Sequence, residues 1–361
     1  MPAFLAVSST DARIEELRTS FEDFRYRAPY KFGGKEVDRV TMLNVHCRLL
    51  GKSGKSAEGF ASMSMGNVWS FPSAKLTYDD TLAAMKSLAG KIERITRSFS
   101  EYAHPLDMNL ALEPEYLKAA AETTRELQLS EPVPKLCVLV TASPVDAALH
   151  DAFGRLHGRN SFSACGREFV RYDLAHYLNN EFRGEFLDSY VAPQAAPRVR
   201  MYHSVGASDS LTPGDVKKAV GDGLPESLEE WIPFNGVTAI KIKLNGNDLA
   251  WDVDRVASID RVTTGAQSKR GFRDWIYSLD STNAARMYST CSISNTSSRE
   301  KRPRHSSVCS ISSSLPPATS PPTGRIRCSK PPNYAPWSSM NRSPGWTPCC
   351  WRVRWAIPEQ R

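Results

Sequence analysis

Two lysines and one aspartate have side chains and spacing that could do chemistry. Lys241 and Lys243 lie two residues apart in residues 236–244, GVTAIKIKL, whose apolar and β-branched residues predict a strand. Because strand side chains alternate between faces, both lysines would lie on one face and Ile240 and Ile242 on the other. Two neighbouring ammonium groups repel each other, which lowers the pKa of each and makes a lysine a better base at neutral pH. The alternative is that both lysines are solvated or ion-paired at the end of the strand.

Asp280 ends the next predicted strand, residues 275–280 (WIYSLD), and a predicted helix over residues 247–264 separates it from the lysines. A strand, a helix and a second strand in this order indicate a parallel βα unit, whose strands end at the same edge of the sheet. Catalytic residues of βα barrels lie at that edge. Asp280 would therefore lie near the lysines, where its carboxylate could bind a divalent metal of the Mg²⁺ type.

A hairpin and several helices precede these βα units. Residues 36–50 and the segment AEGFASM, joined by a glycine-containing turn, predict the hairpin. Hydrophobic spacing and capping residues predict further elements: a helix over residues 77–97 capped by Thr77, a helix over residues 114–129, a short buried segment LCVLVTA, a helix that begins at Ser143, a strand over residues 198–205 and a helical piece over residues 213–233. This order favours a cap domain followed by a barrel.

These features together resemble the enolase superfamily, in its mandelate racemase/muconate lactonizing enzyme group. The resemblance is carried by the hairpin with AEGFASM, the helix SPVDAALHDAFG, the strand with Lys241-Ile242-Lys243, and Asp280. It implies an α/β fold with an α+β cap. An enolase-like N-terminal capping domain with linker helices would cover residues 1–197, and the first βα units of a truncated TIM-type (β/α) barrel would cover residues 198–280.

The resemblance also implies a chemistry. Enzymes of this group abstract a proton α to a carboxylate, and a Mg²⁺ ion stabilises the enediolate, which leads to racemisation, dehydration or cycloisomerisation. By resemblance Lys243 would be the base, Lys241 would contact the carboxylate of a small carboxylic-acid substrate, and Asp280 would be the first metal ligand. Residues 25–32 and 63–69 resemble the loops that close over the substrate, or their aromatic residues fill a core. His203, near the first barrel strand, is a further candidate site residue.

The chain departs from this pattern after residue 280. The group needs two more metal carboxylates on the next two strands, but no strand or helix is predicted beyond Asp280. Residues 281–361 contain 12 Lys and Arg, 17 Ser and 11 Pro, and they contain a single Leu and no Asp. This composition does not form a core, and it carries the whole basic excess of a chain whose formal net charge is +7.

A frameshift would explain the change of composition. Read one base earlier with permissible codons, the stretch around residues 305–317 can spell FERLQYIEQPTT, and the stretch around residues 335–343 can spell RPVVIDESL. These are strand-like segments that supply the two missing carboxylates. We therefore predict that residues 281–361 are a frameshifted, disordered tail, that the chain is poorly soluble or partly unfolded, and that it binds Mg²⁺ weakly and has impaired activity.

The remaining composition limits the class of protein. No apolar run is long enough to cross a membrane, and the N-terminus lacks the pattern of a secretory signal, so we expect a cytoplasmic protein without a membrane partner. The charges of the tail are scattered among Pro and Ser, which disfavours a nucleic-acid partner. An oligomer is expected only with a complete barrel. Two alternatives to an active enzyme stay open: an inactive product of a damaged gene, and a binding protein that uses a basic tail.

Overall fold

A computed structural model describes residues 8–32, 35–192, 194–244, 248–280, 326–329 and 350–355. The chain divides into two compact units, Met1–Pro197 and Arg198–Arg361.

The first unit combines an antiparallel sheet with helices. Strands β1 (Ala12–Phe32), β2 (Lys35–Gly51) and β3 (Ser56–Ser64) pair in that order. The helices are α1 (Asn67–Ser70), α2 (Tyr78–Arg97), α3 (Pro105–Glu126), α4 (Lys135–Leu156) and α5 (Leu174–Tyr177), with short 3-10 turns at Ser163–Cys165, Asn180–Phe182 and Leu187–Ser189. The predicted hairpin is β2 and β3, and Gly54 has a φ of 79° in the turn between them, a value that suits glycine.

The core of this unit lies between the sheet and the helices. Alternate residues of β2 are buried, Leu43, Val45, Cys47 and Leu49. They belong to one apolar cluster with the buried faces of α2, α3 and α4. Strand β3 approaches α4 at Gly59, where a Cβ atom would lie 2.2 Å from the carbonyl oxygen of Ala148. Glycine in the AEGFASM segment therefore permits a close contact between strand and helix.

Two predicted helix boundaries in this unit are wrong. Helix α4 is continuous from Lys135, so LCVLVTA is its first half and Ser143 is not its cap. The Ser143 hydroxyl donates instead to the carbonyl oxygen of Val140, at 2.8 Å. Cys137 and Val138, in the first half of α4, are fully buried. Their packing in the core stabilises a helix that begins before the Ser143-Pro144 start signal. Helix α3 begins at Pro105, nine residues before the predicted start.

The expectation that no segment could cross a membrane is wrong for helix α4, which is long and apolar enough to do so by length and composition. However, 56% of its apolar window is buried inside the unit. Its buried residues contribute to the cluster that the sheet covers. This is the pattern of a core helix.

The second unit contains the parallel βα arrangement. Strands β4 (His203–Val205), β5 (Ala239–Lys243) and β6 (Ile276–Asp280) are parallel neighbours. A 3-10 turn (Pro213–Asp215) and helix α6 (Leu228–Asn235) connect β4 to β5, and helix α7 (Leu249–Lys269) connects β5 to β6. Strand β4 is shorter than predicted, and α6 is confined to the end of the predicted helical region.

Two further strands complete this sheet. They are β7 (Ile326–Ser329) and β8 (Cys350–Trp355), and the strand order is β4-β5-β6-β8-β7. Strand β8 runs antiparallel to both β6 and β7, so the described strands form an open mixed sheet and not a closed barrel. The prediction that no strand follows Asp280 is wrong for these two segments; the rest of the predicted disordered tail lies outside the described residues.

Candidate active site

The register of three parallel strands assembles the candidate site. Lys241 of β5 lies between Ser204 of β4 and Ser278 of β6, and Lys243 lies beside Asp280 of β6. Neighbours in register project from the same face of a sheet, so these side chains share one face. Lysines and serines make this face polar next to the carboxyl end of the strands.

The opposite face is apolar and holds the sheet against its helices. Ile240 and Ile242 are fully buried, in one cluster with Ile232 of α6 and Ile259 of α7. Burial of an isoleucine side chain stabilises the fold by about 1.5–3 kcal/mol. The predicted division of β5 into an apolar helix-facing side and a lysine-bearing side therefore agrees with the structure.

Both lysines contact a single oxygen of Asp280. Lys241 Nζ lies 2.8 Å from Asp280 Oδ2, and Lys243 Nζ lies 3.2 Å from the same atom. The side chains are 29% exposed for Lys241, 19% for Lys243 and 20% for Asp280, so solvent and small solutes can reach them. The structure thus brings together the three residues that the sequence singled out. It also shows the ion pairing that the alternative interpretation expected.

The sequence patterns did not identify one neighbour of this cluster, Tyr202. The Lys241 ammonium lies 5.7 Å from the centroid of the Tyr202 ring, within the range of a cation–π contact. Tyr202 directly precedes β4, and it is two residues from Ser204, which is the spacing of a shared strand face. The two-residue spacing of Tyr202 and Ser204 is visible in the sequence. It indicates a contact with Lys241 only when the register between β4 and β5 is known.

The candidate histidine lies apart from the lysines. His203 is paired in register with Ile240, so it belongs to the other face of the sheet, and its ring centroid is 5.9 Å from that of Trp231. Burial lowers the pKa of His203, although the nearby Asp209 carboxylate partly opposes this effect. The structure therefore does not bring His203 to the lysine cluster.

The described residues do not fit a magnesium ion. Mg²⁺ requires near-octahedral oxygen coordination and is usually held by one or two carboxylates together with water and substrate oxygens. Asp280 is the carboxylate that the structure places beside the lysines, and its Oδ2 already accepts from two ammonium groups. Within the described ranges, no three His, Cys, Asp or Glu side chains are grouped so that they could hold a metal.

The sequence matches no protein-family profile and no curated protein. Three similar solved structures are an enolase from Bradyrhizobium complexed with magnesium and mandelic acid (16% identity, TM-score 0.43), a dipeptide epimerase from Methylococcus capsulatus complexed with Mg and a dipeptide (15%, 0.41), and an L-talarate/galactarate dehydratase from Salmonella typhimurium (15%, 0.40). The matches cover 77%, 75% and 78% of this chain, and 56%, 55% and 54% of those chains. The chain thus spans just over half the length of these structures.

Proposed function

We propose that the face of β5 and β6 binds a small carboxylic acid and that its lysines abstract the proton α to the carboxylate. The product would be that of a racemase, an epimerase, a dehydratase or a cycloisomerase. The observation that carries the proposal is the convergence of Lys241 and Lys243 on one carboxylate oxygen at the end of a parallel βα unit. That geometry supports binding of a carboxylate between two ammonium groups.

The two lysines would have different roles. Lys243 would be the base that takes the proton from the α carbon, and the electron pair of the broken C–H bond would move toward the carboxylate oxygens. Lys241, as an ammonium, would stabilise the negative charge that develops there, because a fixed cation is most effective where charge appears in the transition state. A proton returned from water on the opposite face of the carbon would give the epimer, whereas transfer of the proton from Lys243 to a β-hydroxyl, which then leaves as water, would give the dehydrated product.

The metal site departs from the pattern that the resemblance implies. Two of the similar solved structures contain magnesium. The resemblance implies that such an ion would stabilise the enediolate. Here Asp280, the residue expected to be the first metal ligand, is engaged by two lysines, and the described residues contain no group of three His, Cys, Asp or Glu side chains that could hold a metal. We therefore propose an impaired reaction, with slow exchange of the α proton and weak binding of Mg²⁺.

A second candidate is a catalytically inactive product of a damaged gene. The pairing of Asp280 with two lysines favours it, and so does the composition of residues 281–361, which we propose to be a frameshifted translation. Resequencing the gene around codon 280 tests the frameshift. It is wrong if the frame is intact there and the shifted reading contains neither carboxylate-bearing strand.

Exchange of the α proton tests the proposed reaction. The unaltered chain is incubated with mandelate in D₂O, and loss of the α-proton signal is followed by ¹H NMR at several Mg²⁺ concentrations. Lys243→Ala should abolish exchange, and Lys241→Ala should raise the mandelate concentration needed for half-maximal exchange. Lys218→Ala removes an exposed lysine outside the cluster and is the matched control.

The outcomes separate the two candidates. Exchange above the uncatalysed rate that is lost with Lys243 and kept in the control supports the proposal. Equal rates in the unaltered chain and in Lys243→Ala contradict the assignment of the base. Absence of exchange in every protein, with intact folding by circular dichroism, supports the inactive product.

A further inference from the structure

Asp280 contacts the lysines in the way that an incoming ligand would. A carboxylate bound between Lys241 and Lys243 would place an oxygen within about 3 Å of both ammonium groups. Oδ2 of Asp280 already lies at 2.8 Å and 3.2 Å from them. The protein's own carboxylate therefore occupies the position between the two ammonium groups.

The covalent structure strengthens this competition. Asp280 is fixed on β6, which is hydrogen-bonded along its length to β5, so the carboxylate cannot diffuse away from the lysines. A tethered group competes at an effective concentration that reaches millimolar values or more. A free carboxylate must overcome this local concentration before it can pair with either lysine.

The rest of the face is suited to an oxyanion. Ser204 and Ser278 flank Lys241 in register on its two sides, and a hydroxyl group can donate to an anion. The Tyr202 ring centroid lies 5.7 Å from the Lys241 ammonium, within the range of a cation–π contact. Among the residues that the structure describes, this face combines two cations, two hydroxyls and one acidic residue.

We infer that Asp280 is the resident anion of an oxyanion site, and that a small carboxylate binds there by displacing it. The inference rests on the proposed function only in taking this face as the place where substrate binds. This role and a metal-ligand role for Asp280 predict opposite changes in carboxylate affinity when the Asp280 charge is removed. Loss of the Asp280 charge should strengthen carboxylate binding, whereas loss of a metal ligand should weaken it.

The experiment compares carboxylate affinities in the absence of divalent metal. Acetate and mandelate are titrated into the full chain, with EDTA present, and binding is followed from the ¹³Cε and ¹⁵Nζ resonances of the lysines. Asp280→Asn should bind both probes about tenfold more tightly, a gain in the range expected for removal of a charge in direct contact. Asp254→Asn makes the same change of charge on the exposed side of α7, and it should bind like the unaltered chain. Lys241→Met in the Asp280→Asn background should remove the gain.

Each result of this titration supports or overturns the displacement of Asp280 by a carboxylate. Unchanged or weaker binding by Asp280→Asn overturns it, and so does an equal gain in Asp254→Asn, which would reflect net charge alone. If Mg²⁺ strengthens binding in the unaltered chain and Asp280→Asn abolishes that effect, Asp280 is a metal ligand; the inference then fails while the proposed reaction stands. Should Asp280→Asn not fold, the ¹³Cγ resonance of Asp280 in the unaltered chain gives the answer. It should shift as acetate saturates the lysines, and an unshifted resonance contradicts displacement.

Discussion

Acidification should destabilise the first unit through one buried histidine. His104 is fully buried at the start of α3, where its Nδ1 accepts a hydrogen bond from the backbone N–H of Leu106 at 3.1 Å. Its Nε2 lies 2.9 Å from the carbonyl oxygen of Ala164 and therefore donates. The neutral ring with its proton on Nε2 satisfies both contacts. Protonation of Nδ1 would remove the acceptor that caps the helix.

The size of the effect follows from the shift of the pKa. Burial, as the largest cause, lowers the pKa of His104 from 6.5 to about 4, and the nearby rings of His150 and His157 act in the same direction. Because the pKa in the folded state is the lower one, the unfolded chain binds more protons between these values. The stabilisation is complete above pH 6.5 and is lost as the pH falls toward 4. Its full size is about 3 kcal/mol, of which about 2.5 kcal/mol would be lost between pH 7.5 and 4.5.

Urea unfolding followed by circular dichroism measures this loss. The variant His104→Asn keeps an oxygen that can cap α3 but does not titrate, so it should be less dependent on pH than the unaltered chain. The difference between the two free energies of unfolding isolates His104 from all other titrating groups. A difference that stays constant within about 0.5 kcal/mol from pH 7.5 to 4.5 would refute the reasoning.

Three substitutions test the packing of the described core and helices. Gly59→Ala places a methyl group against backbone atoms of Ala148 and Ala152, and should lower the free energy of unfolding by about 1–3 kcal/mol or more in urea titrations. Gly90→Ala, in the interior of α2 with an arginine side chain as the nearest neighbour, should instead stabilise by about 0.5–1 kcal/mol; a loss at Gly90 or no loss at Gly59 contradicts the geometry. Ile242→Ala removes a fully buried side chain and should cost about 2–5 kcal/mol in the same assay, and a cost below about 1 kcal/mol would show that the helix-facing side of β5 is not packed as described.

The candidate site could be predicted because two simple periodicities determine it. Alternation along β5 assigns Lys241 and Lys243 to one face, and the βα connection brings Asp280 to the same edge. Sequence spacing could not show that both lysines meet the same oxygen of Asp280. That contact depends on the register between β5 and β6, which has no local signal.

The misplaced elements have tertiary causes. Ser143-Pro144 has the pattern of a helix start, yet α4 continues through it because its first half is buried in the core. Strand β1 has no counterpart among the predicted elements. Its middle is charged and exposed, and it is held by pairing with β2, which a local pattern does not reveal.

Chemical rescue of Lys243→Ala tests the central claim most directly. The variant lacks the amine that should take the α proton, and a small amine such as ethylamine can enter the space that the side chain leaves. If Lys243 is the base, ethylamine should restore exchange of the mandelate α proton in Lys243→Ala to well above the rate of ethylamine alone, and should have no such effect on Lys218→Ala. An exchange rate in Lys243→Ala equal to that of ethylamine in buffer would contradict the assignment of Lys243 as the base.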